Sequence, residues 1–321
     1  VGELLGVEGT RIRLRTAAGE MVVPSDQIAA SRVVPPRARH KGPPHRVLGV
    51  DDLERIAADH WRALDLGRLG GWLLRAAEGF SGRANSVLPL GDPGVPPSRA
   101  VEAVQRWYAA RGLPALACIA TAVDDTPGTA TGLPLPAASV FGAAGWQLLP
   151  GCGVRVLTAA TAPIRRAARP VPPGMDLDLA PVPDQQWLAR YAVARGPLPP
   201  VAERLLRNSP AQVFASVRDA GRTVAVARGS FAHGWLGVSA VTVAESHRRR
   251  GLASVLLSAL AGWAARAGAA SALLQVADGN TAAAELYRGH GFTVHHRYDY
   301  LRPADQEPAT TGSAAACPAP R

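Results

Sequence analysis

The sequence predicts an α/β fold, and three stretches point to it. Residues 241–268 pass from an apolar strand through a basic turn into a helix. Residues 272–301 give strand, helix and strand again. Upstream, residues 50–111 alternate helix, strands and helix. Helix-period and strand-period segments that alternate along a chain imply helices packed on a sheet. At 321 residues there is room for two domains and an ample core.

The elements follow in order. Residues 1–34 read as short strands: TRIRLRT at 10–16 alternates, and Ala18-Gly19 turns into EMVVP. Some thirty residues cannot bury a stable core alone. The chain also begins with Val rather than Met, so a truncated remnant of a small β-barrel is expected here. Residues 35–46, PPRARHKGPPHR, have the composition of a linker. A helix opens at Val50-Asp51 and runs through Leu64. Residues 72–76 and 83–88 read as two strands around an EGFSG turn. Residues 98–111 read as a helix stopped by Gly112-Leu113-Pro114, and 124–136 as a Thr/Gly/Pro-rich loop.

In the second half, Val255, Leu256, Leu260, Trp263 and Ala264 share one side of a helix, and Gly268 stops it. Residues 272–277, ALLQVA, form a second apolar strand. Asp278-Gly279 breaks it, and Asn280 suits the N-cap of a helix over 281–288. Tyr287 lies late on that helix, Gly291-Phe292 ends it, and a strand over 293–301 follows. WYAARGL at 107–113 matches LYRGHGF at 286–292 in pattern, which reads as an internal repeat. Residues 304–321 are a small-residue tail expected to be disordered.

The turn Arg248-x-x-Gly251-x-Ala253 is shaped for a pyrophosphate. A strand feeding a helix start presents free N–H groups to an anion. Gly251 lets the backbone approach closely, and the arginines add charge. The plainer reading, a surface turn with solvated arginines, stays open on these residues alone. Neither GxxxxGK[ST] nor a strand-borne GxGxxG occurs.

Strand, RxxGxA turn, helix, strand, Asn-capped helix, late Tyr, then Gly-Phe: over roughly 175–303 this succession resembles the GNAT acetyltransferase superfamily. The resemblance implies a central mixed sheet flanked by helices, with 171–303 as the catalytic domain. It implies acetyl-CoA as cosubstrate, with the backbone of Val241, Thr242 and Val243 on its pantetheine arm. Arg248, Arg249, Arg250, Gly251, Leu252, Ala253 and Ser254 would hold the pyrophosphate, and Asn280 the pantetheine region. Tyr287 takes the place of the family's general acid. The chemistry needs such parts: the attacking amine must lose a proton, the oxyanion needs N–H donors, and the leaving thiolate needs a proton that a phenol can give. The sequence departs from the family at the general base. The strand GWLGVSAVTV has no carboxylate, Glu245 lies beyond it, and Ser239 could hold a water there but is a poor base alone.

By the repeat, 47–170 is expected to be a degenerate GNAT-like half that lacks the phosphate turn. The pattern GWLLRAAEGFSGRANSVLPL at 71–90 is similar to an actinobacterial group of two-part GNAT proteins labelled N-acetylglutamate synthase, an enzyme of arginine biosynthesis. That resemblance implies L-glutamate as acceptor. Arg75, Arg83, Asn85 and Ser86 could supply cations and amide donors to its carboxylates. A solvated or ion-paired sheet edge explains the same residues equally well.

The formal charge is +10, but Lys41 is the one lysine, so arginine supplies the excess. Abundant Ala, Gly, Pro and Arg reflect GC-rich codons as much as function. With 5% aromatic residues, a nucleic-acid partner is not expected. Cys118, Cys152 and Cys317 show no paired spacing, and His295 and His296, neighbours on a strand, point to opposite faces. Neither a disulfide framework nor a metal site is expected. The longest apolar stretch, 252–265, is 14 residues, too short to span a bilayer. No signal peptide is visible, and a reducing cytoplasm fits. The expected partner is a small-molecule amine, with a homo-oligomer open. Two rivals remain. A protein or peptide N-acetyltransferase would need an open acidic groove beside Tyr287. A catalytically silent GNAT-fold binding protein would explain the missing carboxylate.

Overall fold

The computed structural model describes residues 2–16, 19–27, 42–123, 137–193 and 195–306. Most of the expected linker, the loop over 124–136 and the tail from 307 onward lie outside the described residues. The chain divides into two compact units between Lys41 and Gly42. In the first, β1 (Gly2–Glu8), β2 (Arg11–Thr16) and β3 (Gly19–Pro24) form one antiparallel sheet in that order. Ile12 lies opposite Val23 and Leu14 opposite Met21, as the alternation of TRIRLRT requires.

The second unit runs α1 (Pro44–Val47), α2 (Val50–His60), β4 (Asp65–Leu69), β5 (Trp72–Ala76), α3 (Pro97–Ala109), β6 (Ala117–Ala122), α4 (Ala137–Ala143), β7 (Trp146–Leu148), β8 (Val154–Ala160) and α5 (Thr161–Arg166). It continues with β9 (Met175–Ala180), α6 (Gln185–Ala192), α7 (Pro200–Leu206), β10 (Ala211–Asp219), β11 (Arg222–Ala232), β12 (Trp235–Val243), α8 (Leu252–Arg266), β13 (Ser271–Ala277), α9 (Thr281–Gly289) and β14 (Thr293–Pro303). One mixed sheet has the order β6-β14-β8-β13-β12-β11-β10-β9, with β7 also paired to β14. Strands from 47–170 and from 171–303 are therefore interleaved, and β8 sits between β13 and β14. Within this sheet only β12 and β13 pair in parallel, because α8 carries the chain back between them.

Alternation along the strands assigns the layers. Leu236 and Val238 of β12 pack with Leu256 and Leu260 of α8 on one face. Trp235 packs with Leu53 and Ala57 of α2 on the other. Val226 of β11 meets Trp187 of α6 and Leu205 of α7 on that same second face. Burying each such leucine contributes roughly 1.5–3 kcal/mol, so the sheet is stabilised from both sides. No helix among the described residues is long and apolar enough to cross a membrane.

Three sequence expectations are corrected. The helix from Val50 ends at His60, not Leu64. The His60 carbonyl accepts bonds from Arg228 Nη1 (3.0 Å) and Ser209 Oγ (3.0 Å), and Trp61 leaves the helical region at φ −135°. Residues 83–88 are not a strand: Gly82–Ala84 is a 3₁₀ turn, and only Val87 and Leu88 make isolated bridges. The Asn85 side chain prevents extension. Its Oδ1 accepts from Ala77 N (2.8 Å) and Gly79 N (2.9 Å), and its Nδ2 donates to the carbonyls of Phe80 and Ser81 (2.8 Å each). Lastly, His295 and His296 do not point apart. A register shift between Val294 and His296 turns both rings inward, with their Nδ1 atoms 2.8 Å apart. They join Leu48 O and Glu54 in a buried chain of hydrogen bonds.

Candidate active site

The sheet opens between its two parallel strands. Pairing runs from Trp235–Ser271 to Val238–Leu274 and stops there. β12 continues to Val243 and β13 to Ala277, so Ser239 to Val243 show β13 an unpaired backbone edge. On its other edge β12 shifts register against β11 between Val226 and Arg228, and Ala240 opposite the shift has φ +57°. A left-handed alanine costs roughly 1–2 kcal/mol and marks a bulge that re-aims backbone N–H groups. The parting of the two strands thus has a local cause.

The chain leaves β12 through a 3₁₀ turn, Glu245–His247, and reaches Arg248, Arg249 and Arg250, all exposed. Glu245 pairs with Arg248 at 3.7 Å, so this carboxylate neutralises an arginine rather than facing the cleft. Gly251 is the N-cap of α8 at φ +80°, and no side chain caps this end. The first-turn N–H groups of Leu252, Ala253 and Ser254 therefore remain open to a ligand. A residue not expected from sequence lies here. Arg169 crosses the turn, with Cδ and Nη1 3.3 and 3.6 Å from where a Gly251 Cβ would stand. Ser254 Oγ meets His290 Nε2 at 2.9 Å.

Asn280 caps α9, its Oδ1 accepting from Ala283 N at 3.1 Å, while its Nδ2 donates to no described residue. Two turns on, Tyr287 is buried against Phe292, with ring centroids 5.8 Å apart. Burial pushes its phenol well above 10, and its hydroxyl makes no hydrogen bond among the described residues. It is a neutral donor without a partner among the described residues.

On the second face, Ser239 lies beside Arg228, whose Nη1 reaches Ser239 Oγ at 3.4 Å. Arg228 is fully buried; it donates to Leu206 O (2.6 Å), His60 O (3.0 Å) and Ser209 Oγ (2.7 Å). No carboxylate lies within 4 Å of it among the described residues. Burial, with Arg83 nearby, lowers it to about 9, so it remains charged near neutrality. His60 rests on Gly237, two residues before Ser239. Its Nδ1 donates to Ser230 Oγ (2.8 Å), because that hydroxyl itself donates to Gly237 O (3.2 Å). Burial and Arg228 hold His60 down at about 3.

The four expected acceptor residues separate. Arg75 is buried, with Nε on Ser86 O (3.0 Å) and Nη2 on Ser86 Oγ (2.9 Å), so both side chains serve each other. Asn85 is spent on the loop it folds. Arg83 alone is half-buried without a carboxylate within 4 Å among the described residues, and its Cζ lies 5.1 Å from the Trp61 ring centroid. Trp61, Tyr191, Arg195 and Arg228 carry no local sequence pattern, because three distant segments, the ends of α2 and α6 and the middle of β11, bring them together.

Comparison with known proteins finds relatives over most of the chain. A family model described as probable histone acetyltransferase Rv0428c C-terminal matches residues 49–301. The probable histone acetyltransferase Rv0428c of Mycobacterium tuberculosis is 32% identical over 312 residues, 94% of this chain and 87% of that protein. Among solved structures, a GCN5-related N-acetyltransferase from Kribbella flavida superposes with a TM-score of 0.59 at 19% identity, covering 81% of this chain and 98% of the other. A tandem GNAT protein from the clavulanic acid biosynthesis pathway superposes at 0.56 with 14% identity, over 83% and 92%. These two likenesses speak for the fold.

Proposed function

The chain belongs to the family of the Rv0428c C-terminal region, GNAT-type N-acetyltransferases, and from that premise we propose that it moves acetyl from acetyl-CoA to the amine of a small molecule. One observation carries the reading: β12 parts from β13 next to the uncapped start of α8. The cosubstrate supplies an activated acetyl thioester. The residues fit it: the backbone of Val241 to Val243 offers a strand edge, residues 248–254 and Arg169 offer N–H groups and cations, and Asn280 offers a free amide.

Tyr287 donates a hydrogen bond to the sulfur as it leaves; burial keeps the phenol neutral at any working pH. The base is replaced rather than hidden. At about 3, His60 is too weak to deprotonate an ammonium, a transfer uphill by some six pH units, or roughly 8 kcal/mol. Arg228 acts differently. Charged near neutrality, it is no base, and its Nη1 instead donates toward Ser239 Oγ at 3.4 Å. The amine therefore loses its proton to water, with Ser239 orienting that water.

L-glutamate is the first candidate acceptor, which would make this an N-acetylglutamate synthase. The name of the mycobacterial relative favours a second reading, a protein lysine. A thiol-release assay with acetyl-CoA against amino acids, polyamines and a histone-tail peptide tests both. Release with a small amine and not with the peptide is expected; release with the peptide alone reverses the order. A protein that binds acetyl-CoA but releases thiol with no acceptor is the silent binding protein.

A further inference from the structure

Beside the open end of β12, four separate segments place three guanidinium groups around two aromatic rings. Trp61 follows α2, and its indole N–H donates to Ser81 Oγ at 3.1 Å. Arg83 and Arg228 both stand over that indole, with Cζ 5.1 and 5.4 Å from its centroid. Arg195, just after α6, lies 4.1 Å over the Tyr191 ring. Tyr191 sits in the field of Arg83 and Arg228 as well. Glu54, which feels Arg83, is bonded through Oε1 to His296 Nε2 at 2.9 Å.

This arrangement is built. Glu78 and Ser81 hold left-handed backbone at φ +49° and +71°, and the Asn85 amide locks the loop between them. Such strain persists only where the surroundings over-determine it, and Arg83 lies two residues beyond Ser81. A buried guanidinium supported only by neutral oxygens is costly unless an anion joins it. Arg228 is that group, and it touches Ser239.

We infer that Arg83, Arg195 and Arg228 form the acceptor's anion site, so that the acceptor is an amine bearing a carboxylate. This rests on acetyl transfer at Ser239–Val243. Guanidinium groups pair with carboxylates in fixed geometry. A lysine-rich peptide would meet three like charges.

The test pairs each acid with its neutral isostere. Binding of L-glutamate and of its diamide to the CoA-saturated full chain is measured by calorimetry, and both are assayed as acceptors. The wild type should favour the acid at least tenfold. Arg83→Gln should bring the two within a few-fold by weakening the acid ten- to a hundredfold, with acetyl-CoA affinity unchanged, and Arg83→Lys should restore part of the gap. Equal binding of acid and diamide by the wild type overturns the proposal, as does an unaltered gap in Arg83→Gln. A chain that consumes no acetyl-CoA yet still prefers the acid would keep the anion site and remove the acetyltransferase reading instead.

Discussion

At the scale of single residues, Tyr287 and Gly251 are where the proposed chemistry can be tested. Tyr287→Phe keeps the ring on Phe292 and removes one oxygen that has no described internal partner. Stability should hardly move. If the phenol serves the leaving sulfur, kcat should drop roughly 10²-fold with acetyl-CoA affinity unchanged, the usual scale for a lost general acid. Single-turnover kinetics check this, and full activity would reduce Tyr287 to a packing residue. At Gly251, φ +80° strains any L-residue, and a new Cβ would displace Arg169. An aspartate there could simply pair with Arg169, so Gly251→Ala is the cleaner probe. Acetyl-CoA should bind about tenfold more weakly, a loss of about 1.4 kcal/mol, in a chain that stays folded. Unchanged affinity would take the phosphates away from this turn.

Elements that sequence reasoning placed correctly are those whose signals are local. The helix after Gly251, the Asn280 cap and the final strand each rest on periodicity or a capping residue, and each lies within two residues of its expected bounds. Residues 83–88 failed because an apolar alternation says nothing of an asparagine that folds the chain back on itself. The arginine cluster was legible only at Arg83, since Trp61, Arg195 and Arg228 meet through α2, α6 and β11. The same packing makes α2 a sensitive element. A Cβ at Gly237 would stand 2.5 Å from His60 Nδ1 and 2.7 Å from Ser230 Oγ. Gly237→Ala should therefore destabilise by roughly 1–3 kcal/mol, read from the denaturation midpoint. Burial also holds His60 at about 3 and His295 at about 4, below an unfolded value of 6.5. Below pH 6.5 the unfolded chain then binds protons that the folded one refuses, so stability falls as pH drops. Each imidazole contributes at most about 1.4 kcal/mol per pH unit, His295 down to about 4 and His60 to about 3. His60→Gln should flatten the slope between pH 6 and 4.5 in urea titrations, and an unaltered slope would mean that His60 takes up its proton while folded.

Across the whole molecule, the two halves read from the repeat share more than a pattern. Tyr108 and Tyr287 close their helices alike. The carbonyl of each accepts from the third and the fifth N–H beyond it, at 2.9 and 3.1 Å after Tyr108 and at 3.0 and 3.1 Å after Tyr287. The strands that follow, β6 and β14, are antiparallel neighbours. That likeness is local, and the sheet itself denies the halves independence. β8 pairs with β13 from Ser271–Ala160 to Ala277–Val154, and on its other edge with β14. Residues 171–303 alone would lose β8, leaving two long apolar strands with open edges at the middle of the sheet. Open apolar edges recruit other chains. The fragment should thus aggregate or stay partly unfolded, although it contains every cosubstrate-binding residue expected from the sequence. Adding 42–170 in trans should rescue it, because the missing partner is a strand pairing and not a covalent link. Size-exclusion chromatography with acetyl-CoA titration decides the matter. A monomeric 171–303 that binds acetyl-CoA as tightly as the full chain would show that β8 merely lies in the sheet and that the catalytic half folds on its own.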